Sequence, residues 1–103
     1  MSDTVTTTKP KTKAKPKTER PRLYKVILLN DDFTPRDFVV TVLKAVFRMT
    51  EGEATGVMLT AHQKGACVVA VYTREVAEEK CAQANDLGRE AGFPLAFTTE
   101  REN

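Results

Sequence analysis

Apolar positions along this chain fall into blocks whose spacing alternates between the repeat of a strand and that of a helix. The run LYKVILL, from Leu23 to Leu29, is rich in strand-forming residues and broken only by Lys25, which predicts a largely buried strand. Asn30-Asp31-Asp32 follows as a turn signal, because short polar side chains bond readily to nearby backbone. Thr34 before Pro35, with Asp37 three residues beyond Thr34, reads as an N-cap, a proline at the first helical position and an acid in the first turn. Phe38, Val39, Val42, Leu43, Val46 and Phe47 then recur at helical spacing and form one stripe.

Thr50 with Glu53 is a capping box that opens a second helix, whose face carries Ala54, Val57, Met58, Ala61 and His62 before Gly65 ends it. The run ACVVAVY, residues 66–72, predicts a second strand, and Thr73 caps a third helix. That helix turns Val76, Ala77, Cys81, Ala84 and Leu87 inward and stops between Gly88 and Gly92, where Phe93-Pro94 breaks the pattern. Leu95 to Thr98 is long enough for a last edge strand. The order β-α-α-β-α-β, with three apolar stripes to bury, predicts an α+β domain: a three-stranded antiparallel sheet with three helices packed on one face.

Residues 1–20 change this picture. MSDTVTTTKPKTKAKPKTER holds one Val, one Ala and no aromatic residue, with Lys at every second position from Lys9 to Lys17. Such a segment buries too little apolar surface to offset its ordering entropy, which predicts an extended, disordered tail ahead of a domain spanning 21–103. The net charge of +2 is divided accordingly. Residues 1–22 carry seven basic and two acidic residues (+5), leaving nine against twelve (−3) in 23–103. The basicity that would suggest nucleic acid therefore sits in the tail, and the domain lacks a basic face studded with aromatics.

No apolar run reaches the 18 or so residues of a membrane span and no secretory h-region opens the chain, so a cytoplasmic protein without a membrane partner is expected. Cys67 and Cys81 form no CxxC pair and read as reduced packing residues. Catalysis is poorly supplied. The one serine, Ser2, lies in the tail, and neither cysteine has a reactive context. Asp31, Asp32 and His62 are of types that bind zinc or iron, but no paired-ligand spacing supports a metal centre. Asn30, Asp31 and Asp32 read structurally as a turn, and His62 as an ordinary helix-face residue. The residues thus describe a small binding domain with an acidic, histidine-containing patch beside apolar helices. A metal-binding or nucleic-acid-binding module remains the alternative.

Taken together, LYKVILLNDDFTPRDFVVTVL at 23–43, VMLTAHQKG at 57–65 and VYTREVAEEK at 71–80, with Pro94-Leu95 near the end, strongly resemble the ClpS family over residues 21–98. The resemblance implies a cofactor-free adaptor that binds proteins by a free, bulky hydrophobic N-terminal residue (Leu, Phe, Tyr or Trp), and nothing in the sequence suggests more than a monomer. It further implies delivery to the ClpAP protease through the N-terminal domain of its ClpA unfoldase. Carried over residue by residue, it assigns Asn30, Asp32 and His62 to the substrate's α-amino group, with Asp31 at the mouth. Leu28, Thr34, Val39, Met58, Ala61 and Leu95 become the walls of a side-chain pocket, and Glu75 and Lys80 become contacts to the unfoldase. Two positions depart from the family pattern: Arg36 stands where a gating methionine is usual, and Ala61 where a valine is common. An Arg stem folded over the pocket and a wider floor predict an altered preference among the four N-terminal residues.

Overall fold

The computed structural model describes residues 21–102, so the predicted Lys-rich tail, 1–20, lies outside the described residues. Six elements follow in the order β1 (Leu23–Leu29), α1 (Arg36–Phe47), α2 (Glu51–Lys64), β2 (Ala66–Thr73), α3 (Arg74–Ala91) and β3 (Ala96–Arg101). The sheet is antiparallel throughout and has β1 at its centre, in the order β2-β1-β3. Architecture and element order are those expected from the periodicity of the sequence.

The central strand differs from expectation in its burial. Alternate side chains of a strand point to opposite faces, and here Val26 and Leu28 are buried under the helices while Leu23 and Leu29 are exposed on the other side. Among the described residues nothing covers the outer face, and Val68 and Val71 of β2 are also exposed on the sheet. β1 pairs with β2 through a bulge: Val26 opposes Ala70 and Ile27 opposes Val68, so Val69 is the extra residue. Val69 and Ala70 both pack against the core as a result.

That core joins Val26 and Leu28 to Val39, Val42, Leu43, Val46 and Phe47 of α1, to Ala54 and Ala61 of α2, and to Ala77, Cys81 and Ala84 of α3. Small residues on α2 and α3 let both helices approach the sheet closely. Val76 and Leu87, expected inside, are exposed, because the inward stripe of α3 is the narrower series Ala77, Cys81, Ala84 and Gly88. The side-chain amide of Asn85 pairs with both the N–H (2.8 Å) and the C=O (3.1 Å) of Phe97. It covers the outer edge of β3 as another strand would. Burial raises the Cys81 thiol above its ordinary pKa, and the thiol donates to the same Phe97 carbonyl at 3.2 Å.

The predicted capping box is present: Glu53 N–H donates to Thr50 Oγ1 at 3.1 Å, and Thr50 N–H to Glu53 Oε1 at 2.9 Å. The start of α1 needs correction by one residue. Pro35 is the N-cap, its carbonyl accepting from Phe38 and Val39, and the Thr34 hydroxyl is turned toward Asp31 instead. At its other end α1 closes on Arg48, a left-handed residue with φ 59° that carries an exposed side chain. A residue with a Cβ is strained there by roughly 1–2 kcal/mol, a cost glycine avoids. Arg48→Gly is therefore expected to raise stability by about 1 kcal/mol, read as a higher midpoint in urea.

Candidate functional site

The ends of four elements meet at one side of the domain: the C-terminal end of β1, the N-terminus of α1, the C-terminal half of α2 and the segment entering β3. Each end is held there by a specific local interaction. Asp31 organises the β1–α1 loop, its Oδ1 accepting from the backbone of Phe33 (2.8 Å) and Thr34 (2.7 Å) and its Oδ2 from the Thr34 hydroxyl (2.9 Å). Thr34 is buried, and these bonds satisfy its N–H and its hydroxyl. Asn30 N–H donates to the carbonyl of Gly65 at 3.0 Å, tying the loop to the end of α2.

On α2, Met58, Ala61 and His62 stand at positions i, i+3 and i+4 and so share one face. On the far side, α3 ends in a Schellman closure, with Gly92 N–H bonded to Arg89 O and Phe93 N–H to Gly88 O. The reversal brings the Phe93 ring edge-on to Phe38 of α1, centroids 4.9 Å apart, and seats Leu95 on Gly88. A Cβ at Gly88 would lie 2.9 Å from Leu95 Cβ and 3.4 Å from the Leu95 carbonyl oxygen.

These ends enclose a cavity of about 270 Å³. Ligand pockets usually span some 300–1,000 Å³, so this one suits a single side chain and its immediate attachment. Its floor is apolar and buried, from Leu28, Val39, Ala61 and Leu95, with Met58 half-buried beside them. Its rim carries Asn30, Asp32 and His62, all exposed. Arg36 also stands at the rim, with Nη2 3.5 Å from His62 Nε2, at the outer limit of a hydrogen bond. His62 lies in the last turn of α2, where unpaired helix carbonyls favour a nearby cation.

All eleven residues singled out for amine and side-chain binding line this one cavity. Asp31 is among them, but its carboxylate is committed to the loop, so the turn reading of this residue describes it structurally. Glu75 and Lys80 lie elsewhere. Glu75 is exposed beside a shallow groove with Arg22, Tyr24 and Arg74, and Lys80 Nζ donates to the Val46 carbonyl (3.1 Å) at the end of α1. Among the described residues, no three His, Cys, Asp or Glu side chains converge closely enough to hold a metal ion, and no helix is long and apolar enough to cross a membrane.

Sequence reasoning missed Leu29, Phe33 and Pro35, which also line the cavity. Phe33, at 81% exposure, carried a usable signal as an aromatic ring inside an otherwise polar turn. Gly88 was read as part of a helix stop, whereas α3 continues through it and uses its bare Cα to admit Leu95.

Fold and site together define a small α+β binding domain with an apolar hole beneath a rim of hydrogen-bond acceptors. The family model described as "ATP-dependent Clp protease adaptor protein ClpS" matches residues 19–98. Among similar proteins, an ATP-dependent Clp protease adapter protein ClpS 2 from Mesorhizobium japonicum is 64% identical over 96 residues, covering 93% of this chain and 95% of that one. A ClpS 1 from Bradyrhizobium diazoefficiens is 64% identical over 102 residues, covering 99% of each. A solved structure of Agrobacterium tumefaciens ClpS2 bound to L-phenylalaninamide superposes with a TM-score of 0.80 at 64% identity, covering 81% of this chain and all of that one. The chain belongs to the ClpS family of Clp protease adaptors.

The contact at Gly88 yields a test of how the floor is positioned. Alanine improves helix propensity over glycine by about 1 kcal/mol, but overpacking against a Cβ and a carbonyl costs about 1–3 kcal/mol. Gly88→Ala is expected to be net destabilising, with a lower midpoint in urea, and to weaken binding of any ligand seated on Leu95. A midpoint at or above wild type would show that the segment entering β3 yields freely.

Proposed function

We propose that this chain binds proteins by a free, bulky hydrophobic N-terminal residue (Leu, Phe, Tyr or Trp) and delivers them to the ClpA unfoldase of ClpAP, without itself catalysing a reaction. The observation that carries this reading is the union, in one cavity, of a buried apolar floor with an acceptor rim formed by Asn30, Asp32 and His62. An N-terminal Leu or Phe presents an apolar side chain and an ammonium on the same carbon, which is the pairing this cavity fits. An ammonium has three donors and no acceptor, so it needs the carboxylate of Asp32, the amide oxygen of Asn30 and a neutral His62 accepting through a ring nitrogen. The L-phenylalaninamide held by the Agrobacterium relative has a free α-amine on an aromatic residue and supports the same reading.

Neither half suffices alone. Burying a Leu or Phe side chain contributes roughly 1.5–3 kcal/mol, and a hydrogen bond to a charged group about 1.5–3 kcal/mol, so useful affinity and selectivity require both. An internal Leu lacks the amine, and an N-terminal Lys or Ser cannot fill the floor. Glu75 and Lys80 on α3 are assigned to the ClpA N-terminal domain, on a part of the surface away from the cavity, so substrate and unfoldase can be held together. The working form is a cytoplasmic monomer.

Fluorescence anisotropy tests the clamp. A labelled peptide beginning with Leu is expected to bind, and the same peptide N-acetylated to lose binding by about 100-fold or more, since acetylation removes both charge and donors. Asp32→Ala is expected to weaken the free-amine peptide by roughly 10- to 100-fold. Equal affinity for the free and acetylated peptides would remove the proposal. Deleting residues 1–20 is expected to leave peptide affinity unchanged while slowing ClpAP degradation of a Leu-starting substrate. Full-rate degradation would exclude a delivery role for the tail.

A further inference from the structure

Arg36 is the cavity residue whose charge does not match the proposed ligand. It is the first residue of α1, it is exposed, and among the described residues it is the one Lys or Arg side chain lining the cavity. A guanidinium is permanently charged, donates through five N–H groups and accepts nothing. Its Nη2 lies 3.5 Å from His62 Nε2, and in that pair only the ring nitrogen can accept. The arginine thus stands beside one of the acceptors that an incoming α-ammonium requires.

We infer that Arg36 acts as an internal competitor for the α-amino seat and, once displaced, as a selector for an acidic side chain at the second residue of the bound polypeptide. The inference rests on the reading of this cavity as a site for N-terminal residues. Two cations cannot share His62 Nε2 at hydrogen-bond distance without mutual repulsion, so the ammonium displaces the guanidinium. Anchored by its backbone at the N-terminus of α1, the displaced Arg36 stays within reach of the rim. That is where the chain leaves the cavity, since the first side chain points down to the floor and the amine is held at its edge.

The other charges at the rim do not take this role. Asp31 is spent on the backbone of Phe33 and Thr34 and on the Thr34 hydroxyl, and Asp32 is assigned to the ammonium itself. Asp37, the neighbouring acid, points its Oδ1 back to the Phe38 N–H at 3.1 Å. Arg36 is left as the cation facing outward, with a planar fork suited to a carboxylate. Because the guanidinium is exposed, the preference it creates is modest and sensitive to salt.

The experiment uses the full chain and four peptides identical except at their first residues: Phe-Asp, Phe-Asn, Phe-Lys and N-acetyl-Phe-Asn. Asp and Asn are nearly isosteric, so their ratio isolates charge. Wild type is expected to bind Phe-Asp about two- to fivefold more tightly than Phe-Asn at low ionic strength, with Phe-Lys weakest. The ratio should fall toward one in 0.5 M salt and in Arg36→Gln, keep its sign in Arg36→Lys, and Arg36→Gln should bind Phe-Asn at least as tightly as wild type. An Asp/Asn ratio that is the same in wild type and Arg36→Gln overturns the selector. Weaker binding of Phe-Asn by Arg36→Gln overturns the competitor. In both cases amine-dependent binding of Phe-Asn would leave the function proposed above standing. Binding that ignores acetylation, or no binding at all, overturns both.

Discussion

One carboxylate shapes the region on which everything else at the site depends. Asp31 accepts two backbone N–H groups and one hydroxyl within three residues, and in doing so fixes where β1 stops, how deeply Thr34 is buried and where α1 starts. A loop with Asn30 and Asp32 on either side of such an anchor has its two remaining polar side chains free for work at the cavity rim. The neighbouring bond from Asn30 N–H to Gly65 O then fixes the rim to the end of α2, and with it His62. A polar turn thereby becomes a rigid frame for an apolar hole.

The apolar hole has a different origin. Leu28 enters it because it lies on the inward face of β1, two residues beyond Val26, and Leu95 enters because a Schellman turn reverses α3 over a glycine. Val39 and Ala61 belong to helix stripes that are otherwise ordinary core. The floor is therefore the edge of the hydrophobic core left uncovered, and the cavity needs no residue type that packing would not have selected anyway.

Local patterns carried most of the architecture. The strand-forming run of β1, the capping box of Thr50 and Glu53, and the glycine ending α2 at Gly65 are decided within a few residues of chain, and a reader of the sequence meets all the information at once. What stayed hidden depended on contacts between distant segments. Lys25 marked β1 as interrupted, but only the open outer face of the sheet explains why the strand is half-buried. Thr34 looked like a helix cap because its competing partner, Asp31, outbids the helix N–H groups only in the folded loop. Gly88 looked like a stop because its function is to make room for Leu95, a residue that the chain brings back only after it has turned. The candidate site was legible through resemblance rather than through spacing: Asn30, His62 and Leu95 share no local pattern, and nothing in their separations predicts one cavity.

The position of β1 at the centre of the sheet has a consequence for how the molecule forms. It is the first element described, yet its partners are β2, more than thirty residues on, and β3, the last element described. Both loops must close before the central strand is paired on each side, and such long-range closure slows folding relative to helical domains of this size. During that interval the LYKVILL segment has neither neighbours nor a helix layer above it, and an unpaired apolar strand is prone to associate with others of its kind. A Clp protease adaptor is thus itself, for a short time, a chain with an exposed apolar segment.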